Sequence, residues 1–220
     1  MIHARQWIWT PQLRGFPLNH ESIRTIFKEI CSISIEDDIF FSISQITDIR
    51  ETDDYPGLRV HLVANYPPLA VPMKVDVTKG DKITPREIAY SFKLLFDDRT
   101  LSIMAYNLET ILAEKLETVL SRNIANTRPR DFYDIYILYT LRGPEFDMAV
   151  LRRALDMTIR KRGSLSVLVQ YHEIIENIQS NQRMLSFWKE YRKEFDYARH
   201  IAFSDVYEAI LRIMDKLSEQ

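Results

Sequence analysis

Glu109, Lys115, Asp131 and Asp134 place charged groups where helical packing calls for apolar ones. On a helical wheel of about 100° per residue, with Leu108 at zero, Val119, Leu112, Leu116 and Leu120 fill an arc from about 20° to about 120°. Glu109 falls inside that arc. Lys115, at about 340° by the same periodicity, lies between Ile111 and Leu108, with Arg122 beside it one heptad on. From Arg130 onward, Asp131 and Asp134 stand one turn apart on the side of Leu138 and Leu141. A cation and two carboxylates bordering a buried face have two readings. They form a site for a charged ligand, or they satisfy the fold itself. In the second case Asp131 complements the dipole of a helix started by Pro129, and Lys115 buries its stem or pairs with Asp134. Spacing alone does not decide, because structural ion-pair networks perturb their members much as catalytic ones do.

The run Glu109-Thr110-Ile111-Leu112-Ala113-Glu114-Lys115, followed by Asn126-Thr127-Arg128-Pro129-Arg130-Asp131-Phe132-Tyr133-Asp134, resembles the C-terminal motif of the AbiEii/AbiGii toxin family of nucleotidyltransferases. That motif reads E-x-x-x-A-E-K, a gap, then R-x-K/R-D-x-x-D. Tyr55-Pro56-Gly57-Leu58-Arg59-Val60 resembles the family's hairpin, Lys74-Val75-Asp76-Val77 its acidic strand, and Thr158-Ile159-Arg160-Lys161-Arg162-Gly163 its following helix end. Each motif alone is weak, and the signal lies in their combination. The resemblance implies transfer of a nucleotide from a nucleoside triphosphate to an acceptor such as tRNA, by a toxin that a cognate antitoxin neutralises. It implies Asp76, Lys115 and Asp131 as catalytic residues and Mg2+ as cofactor, with Asp76 one of three metal-binding carboxylates. Lys115 would hold triphosphate oxygens with Arg128 and Arg130 beside it, Asp131 and Asp134 would position the nucleotide or the incoming hydroxyl, and Glu109 would orient Lys115. In such chemistry the protein mainly supplies oxygen ligands for the metal and positioned positive charge.

The chain departs from the family at the R-x-T-x-D-x-D strand, whose alternation points two acids to one face. No D-x-D occurs in the 220 residues, and Asp37-Asp38, Asp53-Asp54 and Asp97-Asp98 are adjacent pairs that a strand would send to opposite faces. Asp53-Asp54-Tyr55-Pro56-Gly57 reads as a solvated turn. Tryptophan has a single codon, so Trp7-Ile8-Trp9-Thr10 constrains the bases beneath it. Read from the third base of each codon, it yields Asp, Leu or Met, then Asp. The expectation is therefore an N-terminally truncated transferase whose residues from Met1 to about Arg14 are out of frame, with activity impaired by loss of two metal acids. A sheet deprived of a strand also exposes an edge, which predicts a homo-oligomer.

Composition narrows the alternatives. A net charge of -2, from 29 basic and 31 acidic residues, removes any global polycation argument for nucleic acid, so RNA contact must be local. Arg152, Arg153, Arg160, Lys161 and Arg162 read first as a solvated helix face. Cys31 is the single cysteine, which fits a reducing cytoplasm, and no apolar run approaches transmembrane length. The five histidines lack zinc-ligand spacing, and the five dispersed glycines exclude a P-loop and a dinucleotide fingerprint.

The elements that must position these residues follow from periodicity. Asn19 caps a helix running to about Cys31, with Ile23, Ile26, Phe27 and Ile30 on one face. Ile39 to Ile49, Leu58 to Asn65 and Val71 to Val77 alternate as strands, with Lys74 and Asp76 on a polar face opposite Val71, Met73, Val75 and Val77. Tyr90 to Phe96 and Leu101 to Ala105 add short strands. Helices are expected near 108 to 123, 130 to 141, 147 to 161, 181 to 196 and 203 to 218, and the segment 163 to 180 is ambiguous. Phe187, Trp188, Tyr191, Phe195 and Tyr197 read as core, since positions 187, 191 and 195 share a stripe. The predicted class is α+β: an incomplete nucleotidyltransferase-like half over 1–105, with a partial mixed sheet and helices, then a helical bundle over 106–220 that carries both charged motifs. A small-ligand site is expected in a cleft between the halves. The alternative is a non-catalytic binding or regulatory module that keeps the fold and contacts an antitoxin or tRNA.

Overall fold

Asn19 starts the first helix as its sequence predicts, its side-chain oxygen accepting the Ser22 backbone N–H at 2.8 Å. In the computed structural model, which describes residues 17–34, 38–49, 57–78, 83–94 and 98–219, this helix is α1, His20–Ser32. Three strands follow: β1 (Phe40–Ile49), β2 (Gly57–Tyr66) and β3 (Leu69–Thr78). They form one antiparallel sheet in the order β1-β2-β3. Alternation directs Ile46, Leu58, Val60, Leu62 and Val77 to the face covered by Ile23 and Phe27 of α1, and all seven are buried. The other face carries Arg59 opposite Asp76 and His61 opposite Lys74. Beyond the reach of α1, Leu69, Val71 and Met73 of β3 are exposed.

A second antiparallel sheet pairs β4 (Ile88–Lys93) with β5 (Thr100–Ala105). The expected mixed sheet is thus, among the described residues, two antiparallel ones, because each paired strand directly follows its partner in the chain. The turn expected at Asp53 to Pro56 and the Trp7-Ile8-Trp9 stretch lie outside the described residues.

The remainder is helical: α2 (Leu108–Arg122), α3 (Pro129–Arg142), α4 (Met148–Arg162), α5 (Val167–Ser180), α6 (Gln182–Glu194) and α7 (Phe203–Ser218). The chain divides into two compact units, one holding the described residues through Thr78, the other those from Ile83 onward. In the second unit Asn107 does double duty at the start of α2. Its side chain accepts the Thr110 N–H at 2.8 Å and donates to the Thr84 carbonyl at 2.6 Å, tying the segment before β4 to the helix. Asp147 caps α4 and Asn181 caps α6 through backbone N–H groups. Gly163 closes α4 at φ 67°, in the left-handed region, and the Ser164 N–H returns to the Ile159 carbonyl at 3.0 Å. The ambiguous segment after it becomes α5, because Val167, Tyr171, Ile174, Ile175 and Ile178 recur at helical spacing and are all buried.

Helix α2 is the centre of this unit and packs against α3, α4 and α5. Its buried arc is wider than periodicity predicted, because Thr110, Ala113 and Glu117 join Leu112, Leu116, Val119 and Leu120. Helix α3 packs in turn against α6 and α7. Leu116 is fully buried, so Leu116→Ala is expected to cost about 2–5 kcal/mol, from lost transfer energy plus the cavity left behind. Val169 is 85% exposed, and Val169→Ala is expected to change stability by no more than about 0.5 kcal/mol. Urea unfolding of both variants checks the pair.

Candidate active site

Helices α2 and α3 bring Lys115, Asp131 and Asp134 together. The Lys115 ammonium lies 2.7 Å from Asp134 Oδ2 and 3.1 Å from Asp131 Oδ1. The side chains of Lys115 and Asp131 are each 15% exposed and that of Asp134 only 6%. Arg130 approaches Asp134 Oδ2 more loosely, at 3.9 Å across one helical turn. Two cations and two carboxylates thus balance in charge, which is what a poorly hydrated location requires. The local sequence explains the arrangement. Pro129 sits at the first position of α3, where its missing N–H costs nothing, and the Asn126 side chain accepts the Arg128 N–H at 2.8 Å to turn the chain into the helix.

Asp134 is unequal to Asp131. Its Oδ2 holds Lys115, whereas Oδ1 is buried and has no hydrogen-bond partner. Among the described residues, the other buried side-chain atoms in that condition are Asn123 Oδ1 and Asn126 Nδ2, so all three fall within the connection between α2 and α3 and the first turns of α3. Unpaired buried polar atoms are rare in folded proteins, and their concentration here marks the motif as a place where packing is not the whole explanation.

Glu109 is elsewhere. Its Oε1 accepts the Asp147 N–H at 3.1 Å, joining α2 to the start of α4, and the partners of Lys115 are Asp131 and Asp134. Arg128 and Arg130 are exposed at the beginning of α3. Asp76 belongs to the N-terminal unit, where Arg59 grips it bidentately, Nε to Oδ1 at 2.6 Å and Nη2 to Oδ2 at 2.8 Å. That hydrogen bond to Asp76 raises the pKa of the Arg59 guanidinium.

Magnesium needs several oxygen ligands in near-octahedral array. Both Asp76 oxygens already accept from Arg59, and among the described residues no group of three or more His, Cys, Asp or Glu is placed to hold a metal ion. The described residues alone therefore do not fit a magnesium site.

Three features, two in the helical unit and one in the N-terminal unit, were not legible in the motifs. Glu117, only 2% exposed, is the carboxylate that α2 buries most deeply. It pairs with Arg162 and accepts the Ser164 hydroxyl at 2.8 Å, while Arg162 also donates to Thr118 at 2.9 Å. Arg162 therefore leaves the solvated basic face to which its neighbours assign it. Tyr133, next to Asp134 in the chain, packs against Tyr191 and Tyr197. The Tyr133 and Tyr197 ring centroids are 4.8 Å apart, and the hydroxyls of Tyr191 and Tyr197 are 3.0 Å apart. Burial raises the pKa of the Tyr191 phenol first, and the hydrogen bond and charge of Tyr197 and the charge of Asp134 raise it further, against Arg130. Burial, Tyr197 and Asp134 raise the Tyr133 phenol in the same order. Trp188 and Tyr191 are core, as helical spacing predicts, and Tyr197 lies at the rim, 37% exposed. The third feature is Arg59, whose partner becomes apparent only from the strand register.

A family profile described as "Nucleotidyl transferase AbiEii toxin, Type IV TA system" matches residues 13–209. Among solved structures, the chain is similar to one titled "Crystal structure of JHP933 from Helicobacter pylori", at 13% identity and a TM-score of 0.45, over 82% of this chain and 67% of that one. No curated protein matches significantly. No helix among the described residues is long and apolar enough to cross a membrane.

The Glu117 and Arg162 pair yields a stability prediction. Arg162→Met strands a buried carboxylate and is expected to destabilise the chain by about 3–5 kcal/mol, whereas Glu117→Leu combined with Arg162→Met should recover most of that loss. A double-mutant cycle by urea unfolding measures both.

Proposed function

The chain belongs to the AbiEii nucleotidyl transferase toxin family, and we propose that it transfers a nucleotide from a nucleoside triphosphate to an acceptor such as tRNA, with its Lys115 site binding the triphosphate. The observation that carries this reading is the ammonium of Lys115, held at one edge of α2 between a buried carboxylate and a more accessible one. Asp134 keeps the cation in place from below. Asp131, in the first turn of α3, is the partner that an incoming phosphate oxygen displaces, and once displaced it accepts a hydrogen bond from the attacking hydroxyl. Arg128 and Arg130, exposed beside it, add positive charge along the phosphate path. The acceptor oxygen forms a bond to the α-phosphorus, the bond to the bridging oxygen breaks, and pyrophosphate leaves with that electron pair while the hydroxyl proton passes to solvent. The proposed partners are the nucleoside triphosphate, tRNA and a cognate antitoxin, in the cytoplasm.

The absence of D-x-D from the 220 residues, with both Asp76 oxygens engaged by Arg59, supports low activity and favours a second reading. In that reading the chain is a binding module that contacts tRNA or an antitoxin without catalysis. Self-association is supported by the exposed Leu69, Val71 and Met73 on β3, and a monomeric mass over a wide concentration range in light scattering would remove it.

Incubating the purified chain with labelled nucleoside triphosphate, magnesium and total tRNA tests the first reading. Slow label transfer is expected, reduced by about 100-fold or more in Lys115→Met, since a positioned charge at the transferring phosphate is worth several kcal/mol. No transfer at high protein concentration overturns catalysis. Saturable tRNA binding without magnesium would then establish the second reading.

A further inference from the structure

Among the described lysines and arginines, Arg59, Lys115, Arg122, Arg152, Lys161 and Arg192 are half-buried. Arg59 holds Asp76, and Lys115 holds Asp131 and Asp134. Arg152 donates to the Leu217 carbonyl, Arg192 donates to the Arg199 carbonyl, and Lys161 also has a partner. Arg122 alone has no hydrogen-bond or ionic partner among the described residues. Partial burial of a charge with no counter-charge costs free energy that packing does not return. Arg122 does lie in the last turn of α2, where a cation complements the helix dipole. An exposed side chain serves that purpose equally well, so the dipole does not account for the burial.

Arg122 follows Lys115 by seven residues on the same continuous helix, which puts both on one edge of α2, about two turns or ~10 Å apart. Between them stands Thr118, whose hydroxyl accepts from Arg162 at 2.9 Å. The acids that reach this edge are already committed, Asp131 and Asp134 to Lys115 and Glu117 to Arg162. After Arg122 the chain turns tightly: the Asn126 N–H returns to the Asn123 carbonyl at 3.1 Å, and the Asn126 side chain accepts the Arg128 N–H at 2.8 Å. Arg128 is the N-cap residue of α3, makes no side-chain cap bond and has an exposed side chain. A cation there works against the positive end of the helix dipole. Fold stability therefore explains neither the burial of Arg122 nor the position of Arg128.

We propose that Arg122 is a phosphate-binding residue, with Arg128 across the α2–α3 connection adding a second guanidinium. The planar fork of an arginine makes two parallel N–H···O bonds to a phosphate, and the phosphate brings the negative charge that the fold withholds from Arg122. Two molecules carry such a group: a nucleoside triphosphate, and the phosphodiester backbone of an RNA acceptor. That this phosphate lies next to one held by Lys115 rests on the reading of Lys115 as a phosphate ligand. Binding by Arg122 does not.

Calorimetric titration of the full chain with inorganic tripolyphosphate, and separately with a short single-stranded oligoribonucleotide, tests this. Arg122→Gln should weaken binding of at least one of them by about 10-fold, the scale of a lost charge-assisted pair. Arg122→Lys should weaken it by about 3-fold, since an ammonium keeps the charge without the fork. Arg160→Gln removes the same charge from the exposed end of α4 and should change neither by more than about 2-fold, because solvated charges at a distance are screened. A loss seen with tripolyphosphate places the phosphate in the nucleotide. A loss confined to the RNA, with the slope of log K against log salt reduced by about 0.7, places it in the acceptor strand. Equal losses in Arg122→Gln and Arg160→Gln, no loss in Arg122→Gln, or no binding of either probe by the unmutated chain overturns the proposal. If Arg122→Gln does not fold, Arg122→Lys carries the comparison. Tripolyphosphate binding that survives Lys115→Met but weakens in Arg122→Gln sinks the Lys115 reading and leaves Arg122 standing.

Discussion

The Lys115 ammonium sits at the border of a buried helix face, where carboxylates from the next helix meet it. An ammonium taken out of water loses several kcal/mol of hydration, and a pair with one good contact rarely repays that in full. Here the contact at 2.7 Å comes from a carboxylate that is itself nearly inaccessible, with a second carboxylate at 3.1 Å and an arginine at 3.9 Å completing the charge balance. This one requirement constrains the angle at which α3 leaves the connection after α2. It goes with the side-chain turn at Asn126, the proline at the first position of α3, and the packing of α6 and α7 against α3.

The buried Glu117 poses the same problem on another side of α2 and is solved differently. Arg162 and Ser164, at the end of α4 and just past it, supply the counter-charge and a hydroxyl. They can reach Glu117 because Gly163 adopts a left-handed conformation that turns the chain back over α2. One helix therefore carries two buried charges with separate supports, one closed on itself by an arginine and a serine, the other left with an unpaired carboxylate oxygen. The first is arranged for stability. The second leaves one buried acceptor that the surrounding side chains do not satisfy.

In the N-terminal unit, alternation along β2 and β3 separates an apolar face under α1 from a polar face bearing Arg59, His61, Lys74 and Asp76. The Asp76 carboxylate accepts a bidentate guanidinium there, although the pair is exposed enough that solvent weakens it, with side chains 36% and 42% exposed. A pair of that strength is exchangeable.

Among the described residues, periodicity by itself located six of the seven α-helices, every strand and the polar face of β3, because these depend on the sequence of apolar and polar side chains along one segment. Reading the charges on α2 and α3 as inward-facing was also within its reach. Glu117 escaped because it stands just beyond the apolar arc, where a wheel cannot tell a solvated carboxylate from one covered by Arg162, 45 residues away. Helix α5 escaped because Gly163 and Ser164 mask its start. The difference between Asp131 and Asp134, the diversion of Glu109 to the start of α4, the grip of Arg59 on Asp76 and the clustering of Tyr133 with Tyr191 and Tyr197 were decided by tertiary structure alone. Each depends on which side chain arrives from a distant segment, and on how much water remains once it has arrived. Local periodicity carries no information on either.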